Sequence, residues 1–435
     1  MKVLVTGAAG FVGSHLTEKC VELGYQVKAF IHYNSKNNWG WLESSPHKNS
    51  IEVITGDIRD FDSVSSAMRE VDTVFHLAAL IGIPYSYVSP LAYIKTNVEG
   101  TYNVLQAAKT LETKNVLVTS TSETYGTAQY VPMDEKHPMV GQSPYSASKI
   151  GADNLAVSYF RSFGTPVKIV RPFNIYGPRQ SARAIIPSVI IQILNGQKKI
   201  NLGNVDPTRD LTFVKDTVSG FLTIAKHDEF NGEYVNVGMN QEISIRDLVQ
   251  MIAKIMKVEV EIITDSKRIR AAKSEVERLF CDSTKFCKTT NWKPQYNLEK
   301  GLIETIEWLK QNVAFYDESI RIVQGDVADV LEGVKCDVVV ANPPYVPDSQ
   351  PLPKDVANFE PAIALFGGPD GLELPKQFID AAARLLKTGG LLAIEHTETQ
   401  GAAIAKLLSA DFNQIALHQD LTGRPRWTSA IRGNQ

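Results

Sequence analysis

Tyr145 and Lys149 stand four residues apart in Tyr145-Ser146-Ala147-Ser148-Lys149, directly after Pro144. A helix starting there carries both side chains on one face. A neighbouring ammonium favours phenolate, which lets a tyrosine act as a base near neutral pH. The spacing alone is common, and a packed surface pair is its ordinary explanation. Two further features raise its weight. Ser120-Thr121-Ser122-Glu123 ends an apolar run at 115–119 and sets hydroxyls and a carboxylate at a strand end. Thr6-Gly7-Ala8-Ala9-Gly10-Phe11-Val12-Gly13 follows another apolar run, at 2–6. Its glycines let the backbone approach a pyrophosphate, and the helix it opens offers unpaired N–H groups at a positive dipole end.

These residues need a scaffold, and the hydropathy pattern supplies one. Strand-like runs recur at 26–31, 51–55, 73–78, 115–119 and 167–171, with helix-period segments at 61–69, 97–111 and 146–163 between them. A helix over about Val12–Leu23 closes at Gly24. Such alternation predicts an α/β fold with a Rossmann-type, doubly wound parallel sheet. Helices at 184–195, 216–227, 244–256 and 299–311, with short strands such as 233–237, predict a smaller α/β substrate lobe. Asp57, after the third strand, is placed to accept from an adenine amino group, or else caps a loop. The second strand ends Ala29-Phe30-Ile31-His32-Tyr33, without the acid expected to hold a free ribose 2′-hydroxyl. His32 therefore faces a 2′-phosphate or nothing, and NAD against NADP stays open.

The chain has 435 residues, with 43% apolar and 21% charged residues and a net charge of -3. That charge gives no general attraction to nucleic acid or to anionic membrane. No run approaches the apolar length of a membrane span. Four cysteines without a CxxC pair speak against a disulfide scaffold or a structural zinc site, and no metal is expected. The expectation is a soluble, cytoplasmic enzyme. Residues 314–435 hold 10 Lys+Arg against 16 Asp+Glu, while 1–313 hold 35 against 32. The shift suggests two modules, 1–313 (cofactor part about 1–172, substrate lobe mainly 173–313) and 320–435.

With these words in place, residues 1–312 resemble the extended short-chain dehydrogenase/reductases that act on nucleotide sugars. Shared landmarks are the glycine turn, His76-Leu77-Ala78-Ala79, Asn97, the Tyr145–Lys149 run, Arg171-Pro172-Phe173-Asn174-Ile175-Tyr176-Gly177-Pro178, and Arg209-Asp210. The resemblance implies tightly held NAD or NADP, regenerated in each cycle. It assigns cofactor contact to Gly7, Gly10, Phe11, Val12 and Gly13, to His32, Asp57 and Ile58, and to Leu77, Ala78, Ala79 and Asn97. Thr119, Tyr145, Lys149 and Pro172 complete that set. The run Thr121-Ser122-Glu123 is similar to that of the 4,6-dehydratases. Simple 4-epimerases carry small residues where Glu123 stands. In the implied chemistry Tyr145 takes the 4-hydroxyl proton, Thr121 bonds the oxyanion at O4, and Glu123 removes the C5 proton as water leaves C6. Either Glu123 also protonates the leaving hydroxyl or Ser122 relays the proton. Decarboxylases share this run but need a cation for the uronic carboxylate, where Tyr85-Ser86-Tyr87 offers hydroxyls. The diphosphate falls to Asn174, Arg183, Arg209 and Arg270, since Arg pairs with phosphate oxygens in a fork. Asn34…Trp39-Gly40-Trp41, Ile83-Pro84-Tyr85-Ser86-Tyr87, Gln180-Ser181-Ala182-Arg183-Ala184 and Lys273-Ser274-Glu275-Val276-Glu277-Arg278 together resemble the dehydratases of GDP- or UDP-N-acetylglucosamine, and Trp39 and Trp41 cover the adenosine or pack a loop. The family further implies a homodimer through helices near 97–111 and 146–163.

From residue 320 strand–helix alternation begins again, at 320–324, 336–341, 373–387, 389–395, 399–408 and 413–418. Asn342-Pro343-Pro344-Tyr345 ends an apolar strand. The Asn amide and a Pro carbonyl can accept from a planar –NH2 on which Tyr stacks. With Glu360, Gly389-Gly390, Glu395 and Gln400 this segment resembles the back half of the release-factor glutamine N5-methyltransferases. The glycine loop that would hold S-adenosylmethionine is missing before Gln324-Gly325-Asp326. The expectation is a partial Rossmann-like half-domain that neither binds S-adenosylmethionine nor transfers methyl alone, and that leaves an exposed sheet edge.

Overall fold

The computed structural model describes residues 1–35, 38–265, 275–316, 325–331, 333–352 and 361–433. The chain divides into two units, Met1–Asp317 and Glu318–Gln435.

In the first unit, β1 (Lys2–Thr6) leads into α1 (Phe11–Glu22), then β2 (Gln26–His32), β3 (Ile51–Gly56), α2 (Phe61–Met68) and β4 (Thr73–His76). Two short helices, α3 (Ile83–Val88) and α4 (Pro90–Tyr93), precede a π-helical stretch, Ile94–Glu99, and α5 (Gly100–Thr110). β5 (Asn115–Thr119), α6 (Pro144–Phe163) and β6 (Val167–Pro172) follow. The chain then builds β7 (Asn174–Tyr176), α7 (Ile185–Leu194), β8 (Lys199–Leu202), β9 (Thr208–Arg209) and β10 (Leu211–Phe213). It returns through α8 (Val214–Ala225) and β11 (Tyr234–Val237).

The main sheet runs β11-β6-β5-β4-β1-β2-β3, and every pairing in it is parallel. Strand order reverses beside β1, which opens the crevice where such sheets bind ligands, at the carboxyl ends of the strands. Side chains alternate between two cores. Val3 and Val5 face α1 and α8 with Leu117, whereas Leu4 joins Val116 and Val118 under α2, α5 and α6. Each fully buried aliphatic contributes about 1.5–3 kcal/mol, so this alternation fixes the register.

One expectation needs correction. Residues 233–237 and 216–227 were assigned to the substrate lobe, but β11 pairs with β6 and α8 packs on β5 and β6. The segment β6–α8–β11 is a parallel crossover, and its apolar face belongs to the main core. The lobe itself comprises β7–β10, α9 (Ile245–Met256), α11 (Leu298–Asn312) and the short strands β12 (Ile243–Ser244), β13 (Glu261–Thr264) and β14 (Arg278–Leu279), whereas α10 (Thr284–Thr290) packs on β11 and α8 and buries Phe286 in the main core. It pairs β10 with β7, β9 with β12 and β14, and β8 with β13.

The second unit carries β15 (Cys336–Ala341), α12 (Glu373–Leu385), β16 (Leu386–Glu395), α13 (Gly401–Leu408), β17 (Phe412–Gln419) and β18 (Pro425–Arg432). Its sheet order is β15-β16-β18-β17, with one parallel pairing followed by two antiparallel ones. The expected strand at 320–324 and Glu360 lie outside the described residues, and β18, central to the sheet, was not anticipated. Ile379, Ala382, Ile404 and Leu408 bury one face against Leu392, Ile394 and Ala430. On the other face Val338 and Val340 remain 53% and 80% exposed. Among the described residues of this unit, that face lacks a second layer.

Candidate active site

Local sequence sets α6 in place. Ser143 accepts from the Ser146 N–H and Ser146 Oγ accepts in return, a reciprocal cap, with Pro144 in the first helical position. The helix period then brings Tyr145 and Lys149 together against the end of β5, where Lys149 Nζ donates to the Thr119 carbonyl at 2.5 Å. β5 breaks into a single turn, Ser122–Tyr125, capped by Thr121 Oγ1 accepting from the Glu123 N–H. Tyr145, Thr121 and Glu123 meet there. The Thr121 side chain is hydrogen-bonded to the buried Tyr145 phenol, and the Glu123 carboxylate is close enough to act on it electrostatically.

The electrostatics differ from the sequence expectation. Burial, not Lys149, is the largest influence on Tyr145 and pushes its phenol above the usual range; the Thr121 hydrogen bond lowers it and the Glu123 charge raises it further. Burial also pulls the Lys149 ammonium down to about 8, with Asp153 opposing. Enclosure costs both charged forms their hydration, and in this geometry that outweighs the pairing.

Beneath the site runs a hydrogen-bond chain. Thr6 Oγ1 accepts from the N–H groups of Leu77 and Ala78 and lies 2.9 Å from His76 Nδ1. With its lone pairs so used, the Thr6 hydroxyl donates to Nδ1. The Nε2 proton then goes to Thr101 Oγ1, which donates to the Asn97 carbonyl. Burial holds His76 neutral, down to about 3. The Asn97 amide grips Leu80 N–H and carbonyl and donates to Ser148 Oγ. Both its amide protons are used, so Asn97 acts by fixing the loop after β4 and not by touching cofactor through them.

The glycine turn fits a dinucleotide. A Cβ on Gly13 would lie 2.2 Å from the Gly7 carbonyl oxygen, and one on Gly7, at φ +70°, would lie 2.9 Å from Ala78 N. The turn is closed by contacts that admit no side chain, and no acidic residue or side-chain cap competes at the α1 N-terminus. The N–H groups of Phe11, Val12 and Gly13 thus remain for an anion. Thr119 Oγ1 and Asn174 Oδ1 are buried with no hydrogen-bond partner among the described residues, as groups awaiting a ligand are. Ile58 packs against Gly100, and Pro172 ends β6.

The remaining candidates divide. Asp57 is tied to Arg59 through two nitrogens and lies 3.7 Å from His32 Nε2; the Arg59 hydrogen bond leads in holding its carboxyl at about 2. Ser86 is fully buried with its hydroxyl on the Ile83 carbonyl, so it is turned into its own helix, whereas Tyr85 is exposed. Leu211 opposite Asn174 puts β7 beside the strand following Arg209. Arg209 donates to the Thr208 carbonyl and faces Glu275 at 3.7 Å. Arg183 is exposed, and Arg270 lies outside the described residues. Trp41 packs on Trp308 and Tyr316, so it serves a loop that rests on Ala9. In the second unit Asn342 is exposed, Pro343 is buried and Pro344 half-buried. Tyr345 donates to Glu395 at 3.1 Å, and Gln400 donates to the Tyr345 carbonyl. Sequence reading gave no role to Asp153, four residues beyond Lys149, although the spacing was visible. No helix among the described residues is long and apolar enough to cross a membrane.

Residues 4–305, all within the first unit, match the model of the GDP-mannose 4,6-dehydratase family. The chain is 32% identical over 319 residues to a putative UDP-glucose 4-epimerase of Methanocaldococcus jannaschii, covering 71% of this chain and 99% of the relative. It is 33% identical to a UDP-N-acetyl-α-D-glucosaminuronate decarboxylase of Bacillus cytotoxicus, over 71% of this chain and 98% of the relative. The crystal structure of a dTDP-glucose 4,6-dehydratase, DesIV from Streptomyces venezuelae, with NAD and TYD bound, superposes with a TM-score of 0.64 at 27% identity, covering 73% and 99% of the two chains.

Proposed function

Since the chain belongs to the GDP-mannose 4,6-dehydratase family, whose relatives include NAD-dependent dehydratases, epimerases and decarboxylases of nucleotide sugars, we propose that it is a 4,6-dehydratase of a nucleotide-activated N-acetylglucosamine. The observation that carries this reading is the meeting of Glu123 and Thr121 at the Tyr145 phenol. Epimerisation at C4 needs the tyrosine and the hydroxyl but no carboxylate; elimination across C5–C6 needs one.

NAD fits the glycine turn, and the chemistry it supplies when bound is reversible hydride storage, so that no net oxidation occurs. The protein's own groups do the rest. Tyr145 accepts the 4-hydroxyl proton in its phenolate form, which the Thr121 hydrogen bond favours and enclosure opposes, and Lys149 holds that end of the site through Thr119. Thr121 steadies the oxygen as it becomes a carbonyl, which acidifies C5–H. Glu123 takes the C5 proton, and the 6-hydroxyl leaves as water with a proton from Glu123 or through Ser122. Asn174 and Arg209 are the diphosphate ligands in this reading.

The apolar, exposed Leu91, Ile94, Tyr102 and Phe163 along the helices from 90 to 110 and at the end of α6 support a homodimer. We read the turn Asn342–Tyr345 as the amide site of a methyltransferase-like half-domain without a donor site of its own. Four free cysteines suit a cytoplasmic setting.

Incubating the full chain and NAD with GDP- and UDP-N-acetylglucosamine, and weighing the products, tests this. Loss of one water by the native protein and not by Glu123→Gln is expected. Interconversion of sugars at unchanged mass would replace dehydration by epimerisation.

A further inference from the structure

The middle of α6, facing β6 and the end of β5, holds a buried ion pair that the reaction above does not use. Asp153 lies one helical turn past Lys149, itself one turn past Tyr145. Its Oδ2 accepts from Ser120 Oγ at 2.6 Å and from Arg171 Nη2 at 2.8 Å and Nε at 3.3 Å. Both side chains of the pair are wholly buried. Arg171 is stacked between Tyr125 and Tyr234, with 4.8 and 3.9 Å to the ring centroids. Ser120 sits between Thr119, which accepts from Lys149, and Thr121, which meets Tyr145. One carboxylate thus joins α6 to the ends of β5 and β6 at the reacting edge.

Stability explains this cluster poorly. A buried pair is often no better for folding than apolar residues of the same volume, and here Asp153 Oδ1 and Arg171 Nη1 both have no hydrogen-bond partner among the described residues. We propose that Asp153 is a positioning residue for the Tyr145–Lys149 couple, clamping the catalytic helix to β5 and β6 through Ser120 and Arg171. One helical turn past Lys149, its carboxylate also favours the ammonium that donates to Thr119. The proposal rests on the reading of Tyr145 and Lys149 as the proton-transfer pair.

The groups around Lys149 leave this task to Asp153. His76, from β4, is held neutral. Glu123, from the turn after β5, and Tyr93, from α4, act on Tyr145. Arg171, from β6, is engaged by Asp153 itself. Burial draws Lys149 down, and the Asp153 carboxylate is the charge that opposes it.

The test needs no substrate. The full chain, labelled with carbon-13 at lysine Cε, is titrated by NMR through the neutral and alkaline range, with the Lys149 signal identified by its loss in Lys149→Arg. In Asp153→Asn the Lys149 midpoint is expected to fall by about one pH unit, a tenfold change in proton affinity. That variant strands Arg171, so Asp153→Asn/Arg171→Met, which removes both charges, is titrated beside it; a smaller fall in the same direction is expected, because the stranded cation no longer adds to it. An unchanged midpoint in either folded variant overturns the proposal, and so does loss of folding in both, which would make the pair a requirement of the fold alone. Failure of the dehydration assay would leave this titration standing, so the two readings fail separately.

Discussion

Lys149 Nζ donates to the carbonyl oxygen of Thr119 from a side chain that is almost wholly enclosed. Its folded value near 8 lies below the ordinary 10.5, so between these the unfolded chain binds more protons and stability rises with pH. Below pH 8 the ammonium is buried charged, at a cost on the order of 3 kcal/mol, of which its hydrogen bond returns about 1. Lys149→Met should therefore abolish turnover yet raise the melting temperature at neutral pH. The gain should shrink as pH rises from 8 to 10.5, and thermal melts at both ends of that window check it. A variant less stable than the native protein at every pH would contradict the cost assigned to this lysine.

Thr121 has two tasks: it caps the turn that presents Glu123 and it bonds the Tyr145 phenol. Removing one donor aimed at a developing oxyanion costs about 10²–10³ in kcat. Thr121→Val should show that loss with little change in KM, and Thr121→Ser should restore most of it, because the hydroxyl serves both bonds. Steady-state kinetics on the sugar that the mass assay identifies decides the matter.

The glycine turn separates steric need from conformational preference. Gly13→Ala sets a Cβ against the Gly7 carbonyl, a backbone atom that cannot swing away, and should cost about 1–3 kcal/mol of stability and at least tenfold in NAD affinity. Gly24→Ala, at φ +75° with open space around it, should cost about 1 kcal/mol and leave NAD affinity unchanged. Calorimetric titration with NAD alongside denaturant melts gives both readouts.

Legibility followed range. The glycine turn, the Tyr145–Lys149 face and the strand–helix alternation are local, periodic signals, and each was readable. What tertiary context decides was not. Ser86 was expected to offer its hydroxyl to the substrate, yet the short helix it occupies turns it onto the Ile83 carbonyl. The strand Tyr234–Val237 gave no sign of which sheet it would join, because its partner β6 ends at Pro172, far upstream, with the substrate-lobe strands β7–β10 in between. Pro425–Arg432 alternates across its two faces, but Pro425 and the arginines at 426 and 432 masked the period. Burial was equally hidden: a tyrosine and lysine one turn apart suggest a lowered phenol, and only the packed site shows desolvation winning.

The second unit makes its own prediction. Val338 and Val340 point from β15 to the face opposite α12 and α13, in line with the half-exposed Leu391 across the β15–β16 pairing. Apolar side chains on a bare sheet face favour self-association, as water released between two such faces does for any apolar patch. Val338→Thr/Val340→Lys leaves the core of Ile379, Leu392 and Ile404 untouched, because successive residues of a strand face opposite ways. This double variant should lower the concentration dependence of light scattering several-fold while the first unit melts at an unchanged temperature. Scattering as strong as that of the native chain would mean that another surface drives association, and the exposed helical strip near Leu91 and Ile94 would be the next to alter.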